Sequence, residues 1–208
     1  MGTEAGIYPL ELSITPDGGQ SLVWSINIQV QTGQYGTQYI TLPEDRANLL
    51  APAVEENELN LLRAVTTGFN AERYFDGPMG LPAAAVMNSP FGVSRAYNGG
   101  PVDRYHNGAD FAGAPGSPVL AAAPGRVVLA DSLYIRGNTL MIDHGWGVYT
   151  VYAHLSERYV NLGDFVSTGQ RIGAVGSTGR ATGAHLHWEV WVNGVAVDPM
   201  QWVREAFP

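Results

Sequence analysis

The sequence predicts a mainly β protein, an antiparallel-sheet domain preceded by a small β-rich domain with one or two short helices. Three observations carry that expectation. Glycine (26) and proline (13) are abundant, and short apolar runs are punctuated by turn dipeptides. Long amphipathic helical stretches are scarce, and 45% apolar residues in 208 suffice for one substantial core and a smaller one.

In chain order, residues 6–42 read as strands: IYPLELSI, then SLVWSINIQV with alternation at Leu22, Trp24, Ile26 and Ile28, then a Gly-containing turn and QYITL. A small sandwich or hairpin module fits. From Pro43 to about Tyr74, acidic residues precede Leu59, Leu61, Leu62 and Val65, which suits one or two helices starting near Pro43 and Ala53. GPMGLPAAAVMNSP, residues 77–90, has no clear period and reads as a linker or extended arm. The expected domains are therefore 1–82 and 83–208. Beyond the boundary, VLAAAPGRVVLA, TLMIDHG, GVYTVYAHL, VSTGQRIGAVG and HLHWEVWV describe an antiparallel sheet of many strands.

Charge and composition exclude several functions. A net charge of -8 with no basic cluster argues against nucleic-acid binding. Most of the acidity lies before residue 83, outside the histidine-bearing region. The absence of cysteine excludes disulfides, a thiolate metal site and a cysteine nucleophile. No stretch approaches the roughly 20 apolar residues of a membrane span. MGTEAGIYPLELS has no apolar leader core, so an exported protein would be a mature or shortened form here.

All five histidines fall between positions 106 and 187. YHNGAD sets His106 four residues before Asp110, and HLHWE sets His185 and His187 two apart on one face of a strand. A hydrolytic metal site needs three protein ligands and an open position, and imidazole with carboxylate suits Zn²⁺. His106, Asp110 and one of the paired histidines meet that count. The other member of the pair would then lie beside the metal, able to contact water or a developing oxyanion.

In GVYTVYAHL, alternation puts Val148, Thr150, Tyr152 and His154 on one face, with His154 at the strand end. A free imidazole there is a candidate general base, because its ordinary pKa of about 6.5 lies near working pH. Taken singly, each histidine is better read as a surface or satisfied polar group; it is their combination that favours a metal site. His144, before a turn glycine in IDHG, reads as structural.

These motifs resemble the lysostaphin/LytM-type zinc metalloendopeptidases of bacterial cell walls. The resemblance runs from about Asn88 to Trp202, through SPFG, YHNGADFAGAPGSPVLAAAPGRV, GNTLMIDHGWGVYTVYAHLS, VNLGDFVSTGQRIGAVGSTGRATGAHLHWEV and VDPMQW. It implies the duplicated hybrid motif type of sheet for residues 83–208 and one Zn²⁺ held by His106, Asp110 and His187. By the same resemblance, His154 and His185 are the catalytic pair, with His154 taken as general base and His185 at the oxyanion, or the reverse.

Glu189, two residues from His187 on the same face, is either a hydrogen-bond partner of that ligand or a structural ion pair. One departure stands out. Members often carry an arginine two residues after the glycine of SxFG, where this chain has Ser94, with Arg95 next. Either Arg95 takes its place or the contact is missing.

The implied function is hydrolysis of peptide cross-links or stem peptides of peptidoglycan outside the cytoplasm, by a monomer. A non-catalytic LytM-like regulator is the first alternative, but such proteins lose ligands and none is lost here. An iron oxygenase with two histidines and a carboxylate is the second, but its HxD spacing is absent. Residues 1–82 show no catalytic motif, and spacer, wall-binding and inhibitory roles stay open.

Overall fold

The computed structural model describes residues 3–207; Met1, Gly2 and Pro208, and with them the first two residues of MGTEAGIYPLELS, lie outside the described residues. Contacts divide the chain into two compact units, 1–35 and 36–208, and the boundary expected at residue 82 falls inside the second.

The first unit is a two-stranded antiparallel hairpin of β1 (Gly6–Ile14) and β2 (Leu22–Val30), in register from Gly6 opposite Val30 to Ile14 opposite Leu22. Because side chains alternate along a strand, Tyr8, Leu10, Leu12 and Ile14 share one face with Ile28, Ile26, Trp24 and Leu22 across the ladder. The hairpin half of the expected module is thus present. The strand expected from QYITL is not part of it.

That strand, β3 (Thr37–Ile40), belongs to the second unit and pairs in parallel with β5 (Ser94–Tyr97). β5 in turn pairs with β6 (Val102–Tyr105), making a three-stranded sheet. A 3-10 segment, Glu44–Leu50, leads into α1 (Pro52–Thr66), which starts on a proline because its first backbone N–H groups need no helical acceptor. Both helical starts agree with the sequence. Residues 77–90 are no free linker: Phe75, Met79 and Ala83 enter the main core and Met87–Ser89 forms β4. The Gly80 N–H donates to the Ala122 carbonyl and the Leu120 N–H to the Pro82 carbonyl. Small residues permit this close run, which is why the segment lacks any period.

The main sheet has ten strands. β7 (Ala109–Ala112), β14 (His185–Val192), β11 (Val148–Arg158), β10 (Gly137–Asp143) and β9 (Gly125–Leu133) are consecutive neighbours, and all pair antiparallel. β4 and β12 (Phe165–Val166) flank this run, β8 (Pro118–Leu120) pairs with β13 (Arg171–Val175), and β15 (Val195–Val197) closes on β14 before α2 (Pro199–Arg204).

β14 is buried along most of its length, and its alternation separates two layers. Leu186, Trp188 and Val190 enter the main core with Tyr152 and Phe111, whereas Trp191 packs on the opposite face with Met141, Tyr149, Val151 and Leu62 of α1. His185, His187 and Glu189 follow Trp191 in parity, so the histidine-bearing face of the sheet is the face that α1 covers.

Candidate metal centre

Strand pairing brings the candidate ligands together. In the β7–β14 ladder Asp110 is directly opposite His187, and His106 sits in the turn that feeds β7. Gly108 makes the turn feasible, because a Cβ there would collide with the Trp188 carbonyl and lie 2.9 Å from His187 Cε1. The result is a buried group of three side chains whose donor atoms all lie within 4.8 Å of one another. His106 Nε2 is 3.0 Å from Asp110 Oδ1 and 3.0 Å from His187 Nδ1, and His187 Nδ1 is 2.7 Å from Asp110 Oδ1.

The outward hydrogen bonds define which atoms are free. His106 Nδ1–H donates to the Pro90 carbonyl at 2.8 Å, leaving Nε2 as the lone pair. His187 Nε2–H donates to Glu189 Oε1 at 2.7 Å, leaving Nδ1. Arg95 Nη2 donates to Asp110 Oδ2 at 2.7 Å, leaving Oδ1. Three electron-rich atoms thus converge on one point, an arrangement that is costly unless a cation occupies it. The donor set fits Zn²⁺, two imidazoles and a carboxylate with room for further ligands.

His154 and His185 stand beside this group. Their ring centroids are 4.7 Å apart, and His154 lies 5.8 Å from His187. His154 Nδ1–H donates to the Thr178 carbonyl at 2.8 Å and His185 Nδ1–H to the Gly183 carbonyl at 2.9 Å, so each keeps Nε2 free. His185 Nε2 is 3.8 Å from Asp110 Oδ1. All five residues singled out in the sequence therefore meet in one place.

His154 arrives by a route that alternation does not give. It does not end its strand, since β11 continues to Arg158. Regular alternation would send it with Tyr152 into the main core, but its φ of 61° turns the side chain to the face of His187, and the ladder to β13 is irregular beyond it. The left-handed residue is held by its own N–H, which donates to the Arg136 carbonyl at 2.7 Å.

Electrostatics agree with a cation-binding cluster. Burial pushes His106 down to about 4, and pushes His154 well below the ordinary imidazole range with help from the neighbouring histidines. His185 is also lowered by burial, against the pull of Asp110. Burial would lower His187 too, but Asp110 and Glu189 on its two ring nitrogens carry it above the ordinary value. Burial would raise Asp110, yet hydrogen bonds from His106 and His187 hold it well below the usual carboxylate range. Glu189 is drawn down to about 2, burial being overcome by Arg136 and His187.

Of the two alternatives the sequence left for Arg95, the contact is present, to the candidate ligand Asp110. Other participants escaped the sequence reading: Gln38 of β3 accepts from both Arg95 Nε (3.2 Å) and Ser89 Oγ (3.0 Å). Arg136, Glu58 and Thr178 support the centre from outside the histidine motifs, and for this outer layer only the SxFG departure at Arg95 and the even spacing of Glu189 from His187 offered a signal. Two cavities meet the cluster. One of about 220 Å³ is lined by Glu55, Arg104, Arg180, His106, His154 and His187; the other, about 410 Å³, by Gln38, Tyr39, Asp110, Thr182, Gly183 and His185. His144 lies apart, fully buried, donating from Nδ1 to the Pro124 carbonyl and accepting at Nε2 from Thr150 Oγ1, both at 2.7 Å.

A β-sheet protein with a histidine–aspartate cluster that could hold a metal ion and two adjoining free imidazoles has the make-up of a peptidase site. Residues 104–199 match Peptidase family M23. A Pseudomonas aeruginosa crystal structure assigned to peptidase M23 is 30% identical, with a TM-score of 0.71, over 99% of this chain and 76% of that one. The catalytic domain of lysostaphin from Staphylococcus simulans is 35% identical, with a TM-score of 0.52, over 58% of this chain and 92% of that one. The peptidoglycan DD-endopeptidase ShyA of Vibrio cholerae is 47% identical over 96 residues, 46% of this chain and 22% of that protein. The chain belongs to peptidase family M23, of the LytM/lysostaphin type that its motifs resemble. It spans between about a fifth and a third of the length of curated relatives it matches.

Proposed function

We propose that this chain is a zinc-dependent endopeptidase that hydrolyses peptide cross-links or stem peptides of bacterial peptidoglycan, acting outside the cytoplasm as a monomer. The observation that carries this reading is the convergence of His106 Nε2, Asp110 Oδ1 and His187 Nδ1, with the free Nε2 atoms of His154 and His185 alongside. The name of the DD-endopeptidase relative supports the substrate class, and the completeness of the site within one chain supports a monomer. Among the described residues no helix is long and apolar enough to cross a membrane.

Bound Zn²⁺ would supply Lewis acidity, polarising the scissile carbonyl and making water acidic enough to lose a proton near neutral pH. The chain's residues do the rest. His106, Asp110 and His187 would hold the ion. His154, kept neutral by burial and anchored through Nδ1–H, has its Nε2 lone pair ready to take a proton from the attacking water. His185, whose ring centroid is 4.7 Å from that of His154, stabilises the oxyanion or shares the proton transfer; the reverse division of these two roles uses the same atoms.

Elemental analysis and digestion of purified cross-linked muropeptides test the proposal. One zinc per chain, chelator-sensitive cleavage and new peptide termini seen by mass spectrometry are expected. A chain purified without metal that is indifferent to chelators, or intact muropeptides after incubation with the zinc-loaded protein, would overturn it.

A further inference from the structure

On the sheet face covered by α1, a row of buried side chains connects the metal centre with the helix. His187 Nε2–H donates to Glu189 Oε1 at 2.7 Å, and the same oxygen accepts from Arg136 Nε at 2.9 Å, with Arg136 Nη2 in ion-pair contact at 2.7 Å. Arg136 Nη1 donates to Glu58 Oε1 at 2.8 Å. Glu58, in the second turn of α1, also accepts the backbone N–H groups of Ile135 (2.7 Å) and Arg136 (3.1 Å). The three charged residues are nearly inaccessible: Glu58 is 5% exposed, Arg136 7% and Glu189 0%. Glu58 lies outside the segment that matches the peptidase family.

We infer that Glu58 is a positioning residue of the metal centre: by fixing Arg136 it keeps Glu189 turned onto His187 Nε2, and so keeps His187 Nδ1 as the metal-facing lone pair. This rests on the reading of His187 as a zinc ligand. A metal-bound imidazole needs its second nitrogen tied to an acceptor, which sets the tautomer and raises its basicity. Glu189 can serve only while its buried charge is compensated, and Arg136 is its guanidinium partner. A planar guanidinium shared by two carboxylates has little freedom to turn, whereas one bonded to Glu189 alone would follow any rotation of that side chain. The same residue reaches the other half of the site, because the Arg136 carbonyl accepts the N–H of His154, whose left-handed backbone needs that hold. One carboxylate on α1 therefore braces a ligand through a side chain and the candidate base through the backbone.

A purely structural ion pair would fasten α1 to the sheet and leave metal affinity alone, and this difference is measurable. Zinc affinity of the full chain is read by competition with a chromophoric chelator, and folding by circular dichroism and thermal melting, for the unaltered protein, Glu58→Gln and Leu62→Ala. Leu62 is fully buried on the same helix, packs with Met141, Tyr149, Val151 and Trp191, and has an apolar side chain that makes no hydrogen bond to the row. Glu58→Gln should weaken zinc binding by roughly 10- to 100-fold, the usual effect of losing such outer contacts. Leu62→Ala should lower the melting temperature and leave zinc affinity within about threefold.

Unchanged affinity in Glu58→Gln, or an equal loss in Leu62→Ala, would overturn the inference. Should Glu58→Gln fail to fold, Arg136→Lys, which keeps the charge and removes the fork, reads the same link: weakened binding supports the inference and unaltered binding overturns it. An unaltered protein that binds no zinc overturns the reading of His187 as a ligand, and is told apart by that result.

Discussion

Each of the five site residues has one polar atom tied to the protein and another left free, and this division sets what a substitution does. His154 bonds the Thr178 carbonyl and none of the ligand atoms, so His154→Ala should lower kcat by roughly 10²–10⁴, the range for a lost general base, with zinc still bound. His106→Ala removes a donor atom and should lower both metal occupancy and activity; metal analysis beside kinetics separates the two variants. Activity retained in His154→Ala would remove that residue from the chemistry. His144 gives a prediction about stability. It is buried neutral and pushed down to about 4, so the unfolded chain, with an ordinary histidine near 6.5, binds the proton more readily between those values. Stability therefore falls as pH drops from about 6.5 towards 4, by about 3 kcal/mol at most from this group. His144→Gln should flatten that part of the urea-midpoint profile, and an unchanged slope would exclude His144 as its source. At this scale the HxxxD and HLH spacings made the candidate ligands and one neighbouring imidazole visible. The aim of His154 was not legible, because a left-handed backbone at a histidine has no mark in the sequence and reverses the face that alternation assigns.

Among the elements, β7 and β14 do the assembling, since their register places Asp110 beside His187, and the turn before β7 brings in His106. The turn tolerates no side chain at Gly108. Gly108→Ala would press on the Trp188 carbonyl and His187, and should destabilise the fold by about 1–3 kcal/mol, the usual cost of overpacking, while weakening zinc binding. Melting together with chelator competition checks this, and a variant with native affinity would show that the turn can relax without moving β14. The strands of the main sheet were readable because turn residues punctuate them and apolar runs fill them. β3 was assigned to the wrong sheet because a parallel pairing with β5, more than 50 residues away, leaves no local signature. Of the two readings of residues 77–90, linker or extended arm, the sequence could not choose the arm for a related reason. Their alanines, glycines and prolines serve close backbone approach to Ala122 and Leu120, and that has no period to detect.

For the whole molecule, the division at residue 35 predicts two different truncations. A chain beginning at Gly36 keeps β3, α1 and every hydrogen bond described around the metal centre, and should retain zinc affinity and cleavage. A chain beginning at residue 83 loses Gln38 and Glu58, leaving Arg136 and the N–H groups of Ile135 and Arg136 short of acceptors; it should bind zinc weakly or precipitate. Purification of both with metal analysis decides the matter, and a shorter chain with full affinity would return residues 36–82 to the role of a detachable accessory. The two cavities carry a topological consequence. A metal reached from one pocket suits a substrate that terminates there, whereas this cluster is touched by His106 and His154 from one cavity and by Asp110 and His185 from the other. Under the proposed function, a strand of polymer entering by one cavity and leaving by the other would have both of its ends elsewhere, the condition for severing a mesh at an internal link instead of trimming it from a tip.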